Sequence, residues 1–346
     1  MELGNAFFKS GSSQDSSGFI KFPGDNKLHP AVFMLASVVS EPEQPSVPKV
    51  KRSLILREQS TDYIYSDDLI NWQVGYLPFT HNYGGVYYGD GKFLVLSDDG
   101  PVALSLDGIN WTSYPFPFTT DKYQCVYGDG VWMVIGCTNS NIGATSPDGI
   151  NWAIFTIPGN PTSWRALAYH DGRFVLADQM TNLALYSDDK GVTWNSVYGF
   201  PGSGCIGMCW GGDRFVMGSW KTNQAGYSFD GINWVSVTLP VTYEWHCVVY
   251  GNGYFLATHF GGETALIDGS DNYLRGSPDG LSWELLPLPR KGRRSTIIFT
   301  GEKFLTAAEP NFIETSDGNG VWDTVVIPEY AGNPSVFRGI ACGEIL

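Results

Sequence analysis

The composition limits the partners and locations that the sequence supports. The chain has 346 residues, with 21 Lys and Arg against 35 Asp and Glu, which gives a formal net charge of −14. Nucleic acids and anionic membrane surfaces are disfavoured as partners, because they carry charge of the same sign. No stretch of about 18 apolar residues occurs, so no membrane insertion is expected. Glycine (42 residues) and aromatic residues (14%) are abundant, as in folds made of short strands and tight turns.

Residues 1–52 form an N-terminal extension with a composition of its own. Residues 1–19 are polar and rich in Gly and Ser, and residues 41–48 form a proline-rich spacer. The apolar stretch at 31–39 starts too far into the chain for a signal peptide. Because so few apolar side chains cannot build a core, we expect residues 1–50 to order against the rest of the chain or a neighbouring protein. A free terminus is the alternative.

A short motif recurs from residue 53 onwards. The copy at 146–152 reads SPDGINW, and other copies read SLDGINW, SFDGINW and SPDGLSW. Seven copies end in tryptophan, and successive tryptophans are 39 to 49 residues apart. A period of this length indicates stacked supersecondary units. The residues are the aspartates Asp68, Asp107, Asp148, Asp189, Asp230 and Asp279, and the tryptophans Trp72, Trp111, Trp152, Trp194, Trp234, Trp283 and Trp322.

Each copy is predicted to be a tight turn between two strands. The aspartate accepts hydrogen bonds from N–H groups of its own turn, and the glycine supplies a positive φ. The tryptophan then packs between neighbouring sheets. Two copies depart from the pattern: Leu69 stands where glycine is expected, and the copy at 316–322 has its aspartate displaced.

Each unit also contains an apolar strand that ends in an aromatic residue and a glycine-rich turn, as in VYYGDGKF at 86–93. Seven such strands and seven motifs predict an all-β, seven-bladed β-propeller over residues 53–346. Residues 338–344 resemble a first strand without a second, and residues 53–57 resemble a second strand without a first. The two segments should therefore share one blade, with Ile340 beside Ile55, and close the ring without an open sheet edge.

The motif resembles the Asp-box, or BNR repeat, of sialidase-like β-propellers. Ser187, Asp189, Gly191, Thr193 and Trp194 match its long form, S-x-D-x-G-x-T-W, and the other copies resemble the short form S-x-D-G-x-x-W. The short copies and the YGDG-type turns are similar to propellers found in bacteriophage virion proteins. The resemblance covers residues 53–346 and implies the fold. It implies little about function, because these boxes are structural turns.

The beginnings of the first strands are the candidate binding site, since propellers usually bind ligands where one blade crosses to the next. Four of the ten arginines fall there. Arginine forks suit carboxylates, and aromatic faces suit sugar rings. We therefore predict a channel mouth for an acidic glycan or an acidic protein; solvated loop charges beside packed aromatic residues are the alternative. The predicted residues are Tyr83, Tyr123, Trp164, Arg165, Trp245, His246, Arg294 and Arg338.

Metal, cofactor and disulfide sites are not expected. The acidic side chains of an insertion around 259–271 match no calcium loop, and the five histidines form no zinc pattern. The six cysteines are interpreted as reduced thiols, and a disulfide other than Cys205–Cys209 is the alternative. Cys205 and Cys209, four residues apart on one strand, should point to the same face but stand too far apart to bridge.

A non-enzymatic role in a bacteriophage virion is the function that the resemblance favours, with the propeller recognising a host glycan or protein receptor. Residues 1–50 would attach it to other virion proteins, in several symmetric copies. Sialidases carry an early Arg-Ile-Pro motif, whereas residues 53–56 read SLIL. A glycosidase also needs two convergent carboxylates, and only Asp121 and Glu244 lie near the predicted mouth, on different blades. The alternatives are a capsid decoration or tail-structural protein without a ligand, a sialidase-like hydrolase, and a cellular assembly factor similar to the photosystem II stability factor.

Overall fold

The computed structural model describes most of the chain from residue 49 onwards and a few residues before it. The described residues are 13–14, 19–21, 29–30, 49–57, 60–79, 83–98, 100–119, 122–137, 140–159, 163–197, 199–201, 204–219, 222–243, 245–259, 272–276, 279–289, 296–308, 311–327 and 337–345. Every regular element among them is a β-strand, which confirms the all-β prediction. None of them forms a helix that is long and apolar enough to cross a membrane.

The strands are numbered in chain order. They are β1 (Ser13–Gln14), β2 (Phe19–Lys21), β3 (His29–Pro30), β4 (Val50–Arg57), β5 (Asp62–Ser66), β6 (Gln73–Tyr76), β7 (Tyr83–Gly89), β8 (Lys92–Ser97), β9 (Val102–Ser105), β10 (Thr112–Tyr114), β11 (Lys122–Gly128), β12 (Val131–Gly136), β13 (Ile142–Ser146), β14 (Ala153–Thr156), β15 (Trp164–His170), β16 (Arg173–Asp178), β17 (Ala184–Ser187), β18 (Asn195–Ser196), β19 (Cys205–Gly211), β20 (Arg214–Ser219), β21 (Thr222–Ser228), β22 (Val235–Tyr243), β23 (Trp245–Gly251), β24 (Tyr254–His259), β25 (Asn272–Gly276), β26 (Trp283–Pro287), β27 (Ile297–Phe299), β28 (Phe304–Ala308), β29 (Phe312–Ser316), β30 (Asp323–Val326) and β31 (Phe337–Ile345).

The chain divides into two compact units, Met1–Val47 and Pro48–Leu346, where the sequence placed a boundary before residue 53. In the first unit, β1, β2 and β3 form a small antiparallel sheet. The spacer at 41–48 lies outside the described residues. Docking of residues 1–50 stays a prediction.

The second unit is built from four-stranded antiparallel sheets. Six of them use four consecutive strands each: sheet 1 (β7–β10), sheet 2 (β11–β14), sheet 3 (β15–β18), sheet 4 (β19–β22), sheet 5 (β23–β26) and sheet 6 (β27–β30). A further sheet, the closing sheet, has the order β31-β4-β5-β6 and joins the two ends of the unit. In it Ile340 pairs with Ile55, as the sequence predicted.

The first strand of each sheet contacts the first strand of the next. The succession runs β7, β11, β15, β19, β23, β27, β31 and back to β7, so these inner strands form a circle. The arrangement is that of a β-propeller, and this part of the prediction is confirmed. Apolar clusters fill the spaces between neighbouring sheets, where alternate side chains of two sheets meet. Each sheet therefore buries both of its faces.

Candidate functional site

The predicted binding positions that the structure describes lie at or directly before β-bulges in the inner strands. In β15, Trp164 pairs with Asp178 and Ala166 pairs with Ala177, so Arg165 is an extra residue in its strand. A bulge bends a strand and re-aims a side chain, and bulges are frequent at barrel rims and binding sites. The same register shift occurs in five other inner strands. The extra residues are Gly84, Tyr123, Arg165, Ile206, His246 and Arg338.

All of these bulges lie at one end of the sheets. Each is near the beginning of an inner strand, whereas the motif turns connect the third strand of a sheet to the fourth. Because the strands run antiparallel in the order first to fourth, these motif turns lie at the opposite end, beside the turns between the first and second strands. The two ends are called the bulge end and the turn end below.

Two of the predicted site residues are core residues instead. Trp164 and Trp245 are fully buried, Trp164 in the cluster of Leu167 and Trp245 in the cluster of Val248. Both faces of these sheets are buried, and the bulge decides which face each indole joins, because the extra residue shifts the alternation by one and places the preceding side chain on the opposite face. The expectation that these two indoles offer their faces to a sugar ring is therefore wrong.

Arg165 is linked to the second strand of its sheet through a serine. Its Nε donates a hydrogen bond to Ser163 Oγ at 3.0 Å, and the Ser163 amide donates to Asp178 Oδ2 at 2.7 Å. Asp178 is fully buried and also accepts from the amides of Met180 and Thr181 at 2.9 Å. These bonds connect the residue before the bulged strand to the loop that follows the second strand, and they anchor the segment that leads into Arg165.

Four of the other predicted residues lie in inner strands, and one lies outside the described residues. Tyr83 begins β7, Tyr123 and His246 lie in β11 and β23, and Arg338 lies in β31. Arg294 lies outside the described residues, as do Asp121, Glu244 and positions 260–271 of the insertion. Within the described residues, no three His, Cys, Asp or Glu side chains are grouped as a metal site would require.

Glycines next to the bulges set how closely the inner strands approach each other. A Cβ atom on Gly207 would lie 2.9 Å from the Cα of Cys247 in the next inner strand. One on Gly339 would lie 2.8 Å from the amide nitrogen of Val86. Only glycine fits such distances to a neighbouring backbone. The alignment of first strands contained this signal, in the small residue that follows five of the six bulges, but sequence reasoning did not use it.

The motif turns use their aspartates to hold their own backbone. Asp107 Oδ1 accepts hydrogen bonds from the amides of Ile109 and Asn110, both at 2.8 Å, and from Ser105 Oγ at 2.9 Å. Burial alone would raise the pKa of Asp107, but these amides lower it to about 2. In the next turn the Asn151 amide is the largest contribution that lowers the pKa of Asp148. These carboxylates are ionised at neutral pH and are engaged in structure.

The two irregular copies reach a similar turn with other residues. Leu69 has a φ of 62°, so a leucine adopts the left-handed conformation that glycine takes elsewhere. In the last copy, Asn319 Oδ1 accepts a hydrogen bond from the Val321 amide at 2.9 Å, as the aspartates do in the regular copies. The displaced Asp317 is thus replaced in its role by an asparagine.

Each motif tryptophan lies in the cluster between its own sheet and the preceding one. Trp152 packs with residues of sheets 1 and 2, and its Nε1 donates to the Gly149 carbonyl at 3.2 Å. A Cβ on Gly149 would lie 2.7 Å from Leu104 Cδ1 in the preceding sheet, and its φ is 78°. The glycine therefore serves both the turn and the packing of sheet on sheet.

Cys205 and Cys209 point to opposite faces of β19, contrary to the sequence expectation. Cys205 packs in the cluster of Met208, and Cys209 packs in the cluster of Val216 on the other side of the sheet. The bulge between Cys205 and Gly207 again shifts the alternation. All six cysteines are free thiols, and burial raises the pKa of Cys205 and Cys209.

Comparison with known proteins identifies the fold only. No protein-family model and no curated protein sequence matches the chain. Among solved structures, virginiamycin B lyase from Staphylococcus aureus matches with a TM-score of 0.65 at 14% identity, over 80% of this chain and 92% of the lyase. A streptogramin B lyase matches with a TM-score of 0.63 at 11% identity, over 76% and 92%. YCF48 bound to D1 peptide matches with a TM-score of 0.54 at 15% identity, over 83% and 87%. At these identities the likeness establishes that the chain has a β-propeller fold.

Proposed function

We propose that residues 53–346 form a seven-bladed β-propeller of the Asp-box type and act as a non-enzymatic binding module. Six sheets of consecutive strands plus the closing sheet, with inner strands in a circle, support this blade count. The Ser-to-Asp hydrogen bonds in the motif turns, such as Ser146 Oγ to Asp148 Oδ1 at 2.9 Å, support the Asp-box assignment. A ring closed by both ends of its chain is a rigid support for a binding surface.

The binding site is proposed at the bulge end, and the repeated bulge is the observation that carries the proposal. The same bulge recurs in six inner strands, and in each of them it leaves one residue outside the regular strand pairing. Arg165 and Arg338 occupy two of these positions, and Tyr123 and His246 occupy two more. Arginine and tyrosine favour carboxylate and hydroxyl groups. The ligand is an acidic glycan or an acidic protein surface, held by polar contacts and not by stacking on Trp164 or Trp245.

The biological setting is proposed to be a bacteriophage virion, as a tail-associated protein that recognises the host. Residues 1–47 are a separate compact unit, which suits attachment to other virion proteins. The net charge of −14 suits a particle surface and not nucleic acid. A capsid decoration or tail-structural protein without a ligand is the first alternative, and a cellular assembly factor is the second.

A binding role is favoured over catalysis by what the described acidic groups do. The motif aspartates accept hydrogen bonds from the amides of their own turns, and Asp178 accepts from the amides of Ser163, Met180 and Thr181. Hydrolysis of a glycoside needs one carboxylic acid and one free carboxylate that converge on the bond. Similar folds include lyases, so an enzyme is the alternative. Release of the fluorophore from a fluorogenic sialoside by the purified protein would establish hydrolysis and contradict the proposal.

A glycan array with the full chain tests the binding site. Arg165→Ala and Arg338→Ala are expected to lower the binding of acidic glycans by at least about tenfold each, through loss of charge-assisted hydrogen bonds. Lys303→Ala, at the turn end, is the matched control and should bind normally. Equal binding by all three variants would exclude the bulge end as the site. Incorporation of the chain into purified particles, with loss of incorporation after deletion of residues 1–47, tests the virion setting separately.

A further inference from the structure

Arginine side chains cross three junctions between neighbouring sheets at the turn end. Arg173 is the clearest case: its Nε and Nη2 bind the Asp188 carboxylate at 2.7 Å, and its Nη1 donates to the Asp230 carbonyl of the next sheet at 2.6 Å. Its guanidinium also lies 4.9 Å from the ring centre of Tyr186. The planar fork thus contacts a carboxylate, an aromatic ring and a turn carbonyl at once.

Arg52 and Arg214 repeat this contact at two other junctions. Arg52 Nη1 donates to the Asp107 carbonyl at 2.6 Å and its guanidinium lies 5.1 Å from the Tyr65 ring centre. Arg214 Nη1 donates to the Asp279 carbonyl at 2.7 Å and lies over Tyr227 at 5.2 Å. All three arginines hold the same strand position, directly before the residue that pairs with the motif serine. Three junctions are therefore filled by a guanidinium, whereas Val131 and Lys303 hold the same position in sheets 2 and 6.

The junction between sheets 1 and 2 lacks that arginine and contains a groove. Lys92 holds the equivalent strand position, directly before Phe93, which pairs with Ser105. Its ammonium binds Asp90 of its own turn at 2.6 Å and does not cross the junction. Leu104 stands where Tyr65, Tyr186 and Tyr227 stand in the other sheets. The space that results is a groove of about 460 Å³, which extends to the Asp148 turn of sheet 2.

The lining of this groove suits a long alkyl chain that ends in a positive charge. Leu104, Leu106, Tyr114 and Ile150 supply apolar surface, and Leu106 is 67% exposed. Asp107 of sheet 1 and Asp148 of sheet 2 also line the groove; their carboxylates accept hydrogen bonds from their own turns and contribute negative charge to its two walls. Both carboxylates are ionised at neutral pH, whereas the charge of Lys92 is offset by Asp90. An arginine side chain has this combination of apolar stem and cationic, planar head.

We propose that this groove binds an arginine side chain of a partner polypeptide. The guanidinium donates to the turn of Asp148, as Arg52, Arg173 and Arg214 donate to the next motif turn at their three junctions. The methylene stem packs on Leu104 and Ile150. The partner is a protein with an exposed arginine in a basic segment, which the net charge of −14 attracts. This site lies at the turn end and is independent of the proposed ligand at the bulge end.

Methyl NMR spectra of the full chain test the site directly. The probes are three short peptides, acetyl-Gly-Arg-Gly-amide and its citrulline and lysine counterparts. The arginine peptide is expected to shift the methyl signals of Leu104, Leu106 and Ile150 saturably, and the citrulline peptide, which has the same shape without charge, to bind at least about tenfold more weakly. If the citrulline peptide binds as tightly as the arginine peptide, the groove is merely apolar. If the lysine peptide binds as tightly, the groove is a general cation site. Either result overturns the proposal.

A variant that fills the groove from within provides the second test. Lys92→Arg supplies the missing guanidinium from the chain itself, so the arginine peptide should no longer shift the three methyl signals. Lys303→Arg makes the same change at the equivalent strand position of sheet 6 and should leave the titration unchanged. The spectra of both variants report whether the fold is intact. Unchanged peptide binding to a folded Lys92→Arg variant would show that the peptide binds elsewhere.

Discussion

The Tyr63 hydroxyl lies between Trp111 and the carbonyl of the turn that contains this tryptophan. It accepts a hydrogen bond from Trp111 Nε1 at 2.9 Å and donates one to the Gly108 carbonyl at 2.7 Å. In four other regular copies the indole donates to the turn carbonyl itself. Tyr63 belongs to the closing sheet and Trp111 to sheet 1, so these two hydrogen bonds connect the closing sheet to sheet 1. Burial, the largest contribution, raises the pKa of Tyr63 to about 12, so the hydroxyl remains a donor.

Tyr63→Phe is expected to lower the free energy of unfolding by about 1–3 kcal/mol, because it removes the partner of the part-buried Trp111 N–H and of the buried Gly108 carbonyl. Urea denaturation followed by tryptophan fluorescence measures the change. Tyr65→Phe is the matched control, since its hydroxyl bonds Gln73 at an exposed position, and its effect should stay within about 0.5 kcal/mol. Equal effects of the two changes would contradict a special role for Tyr63.

Arg173→Lys is expected to destabilise the protein by about 1 kcal/mol even though the charge is kept. A lysine cannot reach the Asp188 carboxylate and the Asp230 carbonyl together, and it loses the planar contact with Tyr186. Lys190→Arg serves as the control, because Lys190 makes an exposed ion pair with Asp129 and its replacement should change stability little. The midpoint of urea unfolding distinguishes the two outcomes. A neutral Arg173→Lys would mean that the junction is held by apolar packing alone.

Acid is expected to destabilise the fold through the motif turns. The pKa of Asp230 is raised by burial but lowered more by the amides of Asn233 and Ile232, to about 2, and Asp107 behaves in the same way. A folded-state pKa below the unfolded value of about 3.9 gives stability that is complete above about pH 4 and is lost as pH falls through about 2. Urea midpoints between about pH 6 and about pH 2 should therefore fall at the acid end.

Asp230→Asn separates this effect from general acid denaturation. The asparagine oxygen still accepts from the turn amides but does not titrate, so the loss of stability below about pH 4 should be shallower than in the unchanged protein. Parallel curves for the two proteins would assign the acid sensitivity to other carboxylates.

The cysteines are expected to be unreactive in the folded protein. Burial raises the pKa of Cys125, Cys205, Cys209 and Cys247, and the thiolate is the reactive form. Iodoacetamide near pH 8 should therefore modify these four only after denaturation, as mass spectrometry of the digested protein would reveal. Cys342 is the internal comparison, because it is partly exposed, whereas Cys125 and Cys205 are buried. Rapid native labelling of Cys205 would contradict the packing described for β19.

The sequence by itself determined the local turns and the way in which the repeat closes. The Ser-Asp-Gly turns, their spacing, and the pairing of Ile340 with Ile55 follow from short-range hydrogen bonding and from a repeat that must close its last sheet. The tertiary structure decided which side chains are inside. One inserted residue in six of the inner strands shifted the alternation, which set the face on which Trp164 and Trp245 are buried and separated Cys205 from Cys209. The tertiary structure also decided which junction between sheets contains a groove. Arg52 reaches the turn of the next sheet, whereas Lys92 at the equivalent position binds Asp90 of its own turn.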